Sequence, residues 1–432
     1  MDIQNIGEKE SDQGKGSREN VRAIVRKGIA LLTAILLAAV FLLQAVQIHE
    51  IKMQNETLQQ AVSTLQEQVN SNSVSVGTLV GDVSPVLYLP DDVYVAAGIT
   101  LEIYNEEICQ GINTEDYQFY WNCDVGDCMN DKFHYGGIDN DIGDYTLSVK
   151  VCDYQMNELA SASTTLHVVA NQFLKKDTGK IEMLTIGDSL TSAGTWKEYT
   201  RTMSVNKLSH IGTQGESEGL EHEGRAGFAA YNYLDGSAYE FDDGTVFTNP
   251  DGESFDWNFY KETTERDPDV VQVFLGTNGM SLEAEDNAKS IVEIVKKIRK
   301  DDPEIPILVV QTIYPSDQDG MARQQNVLGF EGFHGMWALE RCHMTFNLMC
   351  ELDKDLEGMD NVYIVPAAIT FDREHNFETT TMRVNPHSDE TEIVPSESIH
   401  PSEGGYEQIG DSMFSTLCYL ISQDKIGKEP EK

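Results

Sequence analysis

Ser189 follows an apolar, strand-like segment, residues 181–186, and the dipeptide Gly187-Asp188. Residues 196–203, a little further along, have the composition of a helix. A serine at such a junction has its hydroxyl at the carboxyl edge of a sheet, beside the free N–H groups of a helix N-terminus. Serine in this position also serves as a simple helix cap, so the junction alone does not define chemistry.

A histidine and an acid far downstream indicate a catalytic role for the serine. The run Glu397-Ser-Ile-His400-Pro places a base and an acid on one short loop. A serine nucleophile needs a base that takes its proton and an acid that orients this base. We therefore predict that Ser189 is a nucleophile, His400 its base and Glu397 the acid.

Two further segments offer donors for a developing oxyanion. Gly227 lies in the run 223–228 after the second predicted strand, where its backbone can approach a substrate closely. Asn278 follows the apolar run 270–275 and carries a side-chain NH2 that can donate. The alternatives are a simple turn glycine and an Asx-turn asparagine.

Together these motifs resemble the SGNH, or GDSL, hydrolase superfamily: Gly187-Asp-Ser-Leu, the glycine at 227, Gly276-Thr-Asn278 and Glu397-x-x-His400-Pro, in this order. The resemblance covers residues 178–424. It implies a three-layer α/β/α, flavodoxin-like domain with a parallel sheet and a serine ester hydrolase without cofactor or metal. It also implies that Ser189, Gly227 and Asn278 form the oxyanion hole. Gly227 and Asn278 are two of its donors, and the backbone N–H of Ser189 is the third.

The chain departs from the superfamily pattern at three positions. Glu397 replaces the more usual Asp and is one methylene longer, so its bond to His400 requires a shifted loop. Gly279 stands where the third block usually has Asp, which puts the support of Asn278 in question. Ala226 stands where the second block often has Ser.

A second serine matches a hydrolase motif by its letters. Ser217, in Gly215-Glu-Ser-Glu-Gly219, fits the Gly-x-Ser-x-Gly elbow. No helical pattern follows it, and the glutamates on both sides would oppose an alkoxide. We therefore do not expect Ser217 to be the nucleophile. Asp188 and Arg225 are expected to have structural roles, Arg225 in a salt bridge.

The chain of 432 residues has a formal net charge of -41 at pH 7. Such an acidic surface would repel phosphates, which argues against a nucleic-acid partner. The seven cysteines form no motif with the spacing of a zinc site. Cys123 and Cys128 are candidates for a small disulfide loop in an oxidising exterior, and an odd count leaves at least one free thiol.

The N-terminal part predicts a membrane anchor. Residues 28–48 carry no charge and are long enough to cross a bilayer as a helix. Basic residues precede them, so we expect residues 1–27 to be a cytoplasmic tail and the rest of this single-pass protein to be extracellular. A cleaved signal peptide is the alternative.

Residues 49–72 have a heptad pattern. Ile51, Leu58 and Leu65 recur every seven residues, and Asn55 is polar at the other seam position. This combination favours a parallel two-stranded coiled coil, which predicts a stalk that forms a homodimer through residues 48–69. A single membrane-proximal helix is the alternative.

Residues 76–170 consist of short alternating runs, which predict a small β-sandwich of immunoglobulin-like type. In it Tyr145 resembles a tyrosine corner, and Trp121 is a candidate core residue. A polar linker is expected at 171–179. From 178 to 424 strands alternate with helices, most clearly a helix at 284–300, which predicts a parallel sheet with its active residues at the carboxyl edge.

These features together predict an extracytoplasmic, membrane-anchored serine esterase that removes acyl groups, most simply acetyl, from a small molecule, a polysaccharide or another glycan. The substrate class rests on family analogy and topology, and on no single residue. One alternative is a lipase or thioesterase for longer acyl chains, with residues 330–337 as a lid. Another is a catalytically inactive surface protein that acts through its stalk and β-module.

Overall fold

The computed structural model describes residues 84–236, 246–249, 254–280, 283–322 and 337–427. The predicted cytoplasmic tail, membrane segment and coiled-coil stalk all lie outside these residues. Within the described ranges, no helix combines the length and the apolar character that a membrane span requires.

Residues 84–170 form a β-module. Its strands are β1 (Val86–Leu87), β2 (Asp92–Ala96), β3 (Thr100–Tyr104), β4 (Cys109–Gln110), β5 (Gln118–Asn122), β6 (Asp127–Cys128), β7 (Lys132–Gly136), β8 (Gly143–Cys152) and β9 (Glu158–Val169), with helix α1 (Asn105–Ile108) between β3 and β4. One sheet has the order β2-β9-β8-β5 and a second the order β3-β7-β6, while β1 pairs with β4.

The two larger sheets share an apolar core, as alternating sequence patterns require. In β5, Phe119 and Trp121 are buried while the residues between them are exposed. Trp121 meets Phe133 of the other sheet with ring centroids 5.7 Å apart. The hydroxyl of Tyr145 donates to the carbonyl of Asp141 at 2.9 Å, the bond expected of a tyrosine corner. The core position predicted for Trp121 is therefore correct.

Two expectations for this region need correction. The described cysteines, which are all seven of the chain, are free thiols, so the candidate Cys123–Cys128 disulfide is not formed. The segment expected to be a polar linker contains a short helix, α2 (Gln172–Lys175). Its Phe173 is buried and stacks on Phe414 with centroids 5.5 Å apart, so this segment is packed against the following domain.

The second half is an α/β domain. Its strands are β10 (Ile181–Gly187), β11 (Leu208–Ile211), β12 (Glu223–Gly224), β13 (Thr248–Asn249), β14 (Ser254–Phe255), β15 (Val270–Phe274), β16 (Ile307–Val310), β17 (Val362–Val365), β18 (Thr379–Arg383) and β19 (Thr391–Pro395). Its helices are α3 (Ser189–Ser192), α4 (Trp196–Met203), α5 (Ala230–Asp235), α6 (Trp257–Thr264), α7 (Ala284–Asp301), α8 (Ala338–Leu356) and α9 (Glu403–Ser422).

The main sheet is parallel and has the order β11-β10-β15-β16-β17, with β12 pairing with the end of β10. This is the flavodoxin-like order that the sequence predicts. Alternate side chains of β15 belong to two apolar cores, one on each face of the sheet. Val271 and Val273 lie in the core with residues of α7 and α8. Val270 and Phe274 lie in the core with residues of α4 and α9. The sheet is therefore the middle of three layers, and the core that contains α9 extends into the β-module.

Candidate active site

Ser189 begins helix α3 directly after β10, at the carboxyl end of a central strand. The cap of this helix is Asp188, whose carboxylate accepts the N–H of Leu190 at 2.9 Å. The hydroxyl oxygen of Ser189 lies instead 2.9 Å from Nε2 of His400. The simple capping role therefore belongs to Asp188, and the Ser189 hydroxyl faces a base.

Glu397 lies behind the imidazole of His400. Its Oε1 is 3.5 Å from Nδ1 of His400 and also accepts the N–H groups of Ser398 at 3.0 Å and Ile399 at 3.4 Å. Burial acts to raise the pKa of Glu397, but His400 and these two N–H groups outweigh it, so the pKa lies below its ordinary value. The three predicted triad residues thus lie together, with Glu397 ionised at neutral pH.

Ser316 holds the loop that carries Glu397. Its hydroxyl donates to the carbonyl of Glu397 at 2.8 Å, and its N–H donates to the carbonyl of Ser398 at 2.9 Å. Ser316 is fully buried and follows the end of β16. No sequence motif marks Ser316, because it bonds to backbone carbonyls, which every residue type carries.

The two predicted oxyanion donors lie on segments that are bonded to each other. Gly227 is in a turn closed by the bond from the N–H of Phe228 to the carbonyl of Arg225, and it has a φ of +80°, a region that favours glycine. The side-chain amide of Asn278 donates to the carbonyl of Phe228 at 3.1 Å. This bond uses one of the two amide N–H groups and leaves one for another acceptor.

The space beside Gly279 is filled from helix α7. A Cβ at position 279 would lie 2.1 Å from Oδ1 of Asn287, so a side chain there would displace the Asn287 amide. Asn287 is buried, and its amide donates to the carbonyl of Gly276 at 3.2 Å. Arg341 of α8 donates to the carbonyl of Thr277 at 2.8 Å. The loop around Asn278 is therefore supported by Asn287 and Arg341, without the Asp that Gly279 replaces.

Asp188 is a buried acid next to the nucleophile. Burial raises its pKa to about 7, against the opposing effects of the Leu190 N–H and of His400 and Arg341. One carboxylate oxygen accepts the Leu190 N–H, and the other has no hydrogen-bond partner among the described residues. The structural role expected for Asp188 agrees with its position as helix cap.

The remaining candidates have other contacts. Arg225 forms a buried ion pair with Glu223 at 3.2 Å, as expected. A further histidine, His343 of α8, contacts Gln110 of the β-module. Most of the segment suggested as a lid lies outside the described residues; Trp337 is exposed, and α8 begins after it.

No family model and no curated protein matches the chain. Among solved structures, it is similar to an acetyl esterase crystallised with acetate (16% identity, TM-score 0.35, 56% of this chain and 99% of that chain). It is also similar to a carbohydrate esterase family 3 from Talaromyces cellulolyticus (16%, 0.36, 56% and 99%) and to AlinE4, an SGNH-hydrolase family esterase (16%, 0.26, 44% and 76%). The similarity to these three structures covers 44–56% of this chain.

Proposed function

We propose that this protein is a serine esterase that hydrolyses acyl esters through an acyl-enzyme. The observation that carries the proposal is the distance of 2.9 Å between His400 Nε2 and Ser189 Oγ, with the ionised Glu397 on the other side of the imidazole. A hydroxyl, a base and an orienting acid in this arrangement are what nucleophilic acyl transfer requires.

In the first half of the proposed reaction, His400 takes the proton of Ser189 while Oγ attacks the ester carbonyl. The oxyanion accepts the N–H groups of Ser189 and Gly227 and the remaining amide N–H of Asn278. The C–O bond then breaks, and His400 returns its proton to the leaving alcohol. In the second half, His400 activates water, which releases the carboxylic acid and restores the Ser189 hydroxyl.

We further propose that the acyl group is acetyl and that it is carried by a glycan outside the cell. The sequence pattern of residues 28–48 supports a membrane anchor, and residues 48–69 support a dimeric stalk. An esterase held at a membrane beside a β-module is suited to a polymer, since a tethered enzyme meets extended substrates at its surface.

Acyl-length profiling of the full-length protein tests this function. We expect p-nitrophenyl acetate to be cleaved with a kcat/KM at least tenfold above that of p-nitrophenyl octanoate, with Ser189→Ala as the inactive control. A preference for octanoate would instead favour a lipase. Absence of hydrolysis with every ester would refute the esterase proposal and favour a surface-binding protein.

A further inference from the structure

A cavity of about 740 Å³ lies between the β-module and helix α8. Residues 106, 107 and 109–114 form its module side, and Tyr314, Asp317 and Arg373 belong to its other side together with the first turns of α8. Its volume is within the range of binding sites for small molecules.

Direct contacts hold the two sides of this cavity in place. The hydroxyl of Tyr314 donates to the carbonyl of Glu107 at 2.7 Å. Arg373 bridges to the module through Glu106 Oε2 at 2.5 Å and Glu107 Oε1 at 3.1 Å. These contacts, which are partly or fully buried, fix the module side of the cavity relative to Tyr314 and Arg373.

The charges of the lining disfavour an anionic ligand. Among the described lining residues, Arg373 is the only Arg or Lys, and it is paired with Glu106 and Glu107. Asp317 adds a further carboxylate to the wall. A phosphate, sulfate or uronate would meet this negative lining without a cation to bind it.

The other lining groups suit a neutral, hydroxyl-rich ligand. Gln110 and Asn113 add amides, and Trp337 at the rim is 64% exposed. Sugar hydroxyls donate to such oxygens, while the C–H faces of sugar rings pack on aromatic side chains.

The cavity wall and the loop that carries Glu397 are linked through Ser316. Asp317 lines the cavity and directly follows Ser316, which is bonded to the carbonyls of Glu397 and Ser398. We propose that the cavity binds a neutral sugar chain, the part of an acylated glycan substrate that does not react. This proposal rests on the proposed esterase function.

Kinetics of Trp337→Ala in the full-length protein test the proposal. Tyr154→Ala, an exposed aromatic on the turn between β8 and β9, is the matched control. With partly O-acetylated cellohexaose, we expect Trp337→Ala to raise KM at least fivefold and Tyr154→Ala to leave it unchanged. Neither variant should alter kcat/KM for p-nitrophenyl acetate, which carries no sugar chain. An unchanged KM for the oligosaccharide in Trp337→Ala would overturn the proposal.

Binding measurements separate this proposal from the esterase function. If the wild type cleaves no ester, the esterase function fails, and calorimetry with unacetylated cellohexaose tests the cavity by itself. At least fivefold weaker binding by Trp337→Ala than by wild type would support the sugar site. Equal affinities, or no binding by wild type, would overturn it.

Discussion

Glu397 lies 3.5 Å from the imidazole of His400, further than Ser189, which lies 2.9 Å away on the opposite side of the ring. The same carboxylate oxygen is closer to the N–H of Ser398, at 3.0 Å. The longer side chain of Glu is thus accommodated by folding back onto its own loop. As a result, the acid is shared between orienting His400 and shaping the loop.

This sharing predicts unequal effects of removing the base and the acid. We expect His400→Ala to lower kcat by a factor of about 10³ or more, because among the described residues His400 is the base that the Ser189 hydroxyl faces. Glu397→Gln should lower kcat by only about 10- to 100-fold, since an amide oxygen can still accept the loop N–H groups. Rates with p-nitrophenyl acetate measure both effects, with Glu403→Gln in the exposed first turn of α9 as control. Wild-type rates for both variants would contradict the triad.

Ser316 is predicted to position the catalytic loop. Ser316→Ala removes the bond to the carbonyl of Glu397 and should lower kcat for p-nitrophenyl acetate about tenfold while KM stays unchanged. The lost hydrogen bond should cost only about 1 kcal/mol in the free energy of unfolding. Ser396→Ala is the matched control, because its hydroxyl bonds the carbonyl of Glu378 at the surface. Equal kinetics for the two variants would mean that Ser316 has no positioning role.

Gly279 and Asn287 should behave as a coupled pair. Gly279→Ala forces its Cβ against the Asn287 amide, and such overpacking costs about 1–3 kcal/mol. We expect kcat to fall as well, since Asn278 is displaced. The double variant Gly279→Ala/Asn287→Ala makes room for the new methyl group and should recover part of the stability. Chemical denaturation of the single and double variants measures this coupling, and strict additivity of their free energies would refute it.

Asp188 should make the folded state less stable as the pH rises. Its folded pKa of about 7 lies above the ordinary value of 3.8, so the folded state binds more protons, and stability decreases as pH rises through this range. From these two values the decrease is about 4 kcal/mol between pH 4 and pH 8. Asp188→Asn keeps an acceptor for the Leu190 N–H but cannot titrate.

Relative to wild type, Asp188→Asn should therefore become more stable with increasing pH. Denaturant unfolding of both proteins at pH 4, 6 and 8 measures the difference. Parallel stability curves for the two proteins would show that the pKa of Asp188 is not raised in the folded state.

The apolar and periodic parts of the fold were predictable from the sequence. Strand β15 covers all but the last residue of the apolar run 270–275, and α7 extends the expected helix by one residue at its C-terminus. These elements are recognisable because burial on one or both faces imposes a pattern on the side chains. The proximity of Ser189, His400 and Glu397 was predictable because a catalytic triad requires particular residue types.

Elements and residues without such a pattern were missed. Every residue of β18 is exposed, so the hairpin of β18 and β19 before Glu397 has no apolar periodicity. Ser316 and Asn287 both act on backbone carbonyls from distant segments, and many other side chains could make such bonds. Their roles follow only from the tertiary structure.

Labelling with a fluorophosphonate probe is the most direct test of Ser189 as the nucleophile. The probe reacts with an activated serine, and mass spectrometry of the digested full-length protein identifies the modified residue. We predict that Ser189 is labelled, and that Ser189→Ala loses both labelling and hydrolysis of p-nitrophenyl acetate while its thermal unfolding stays unchanged. Labelling of another serine, such as Ser217, or full hydrolysis by Ser189→Ala would contradict the account.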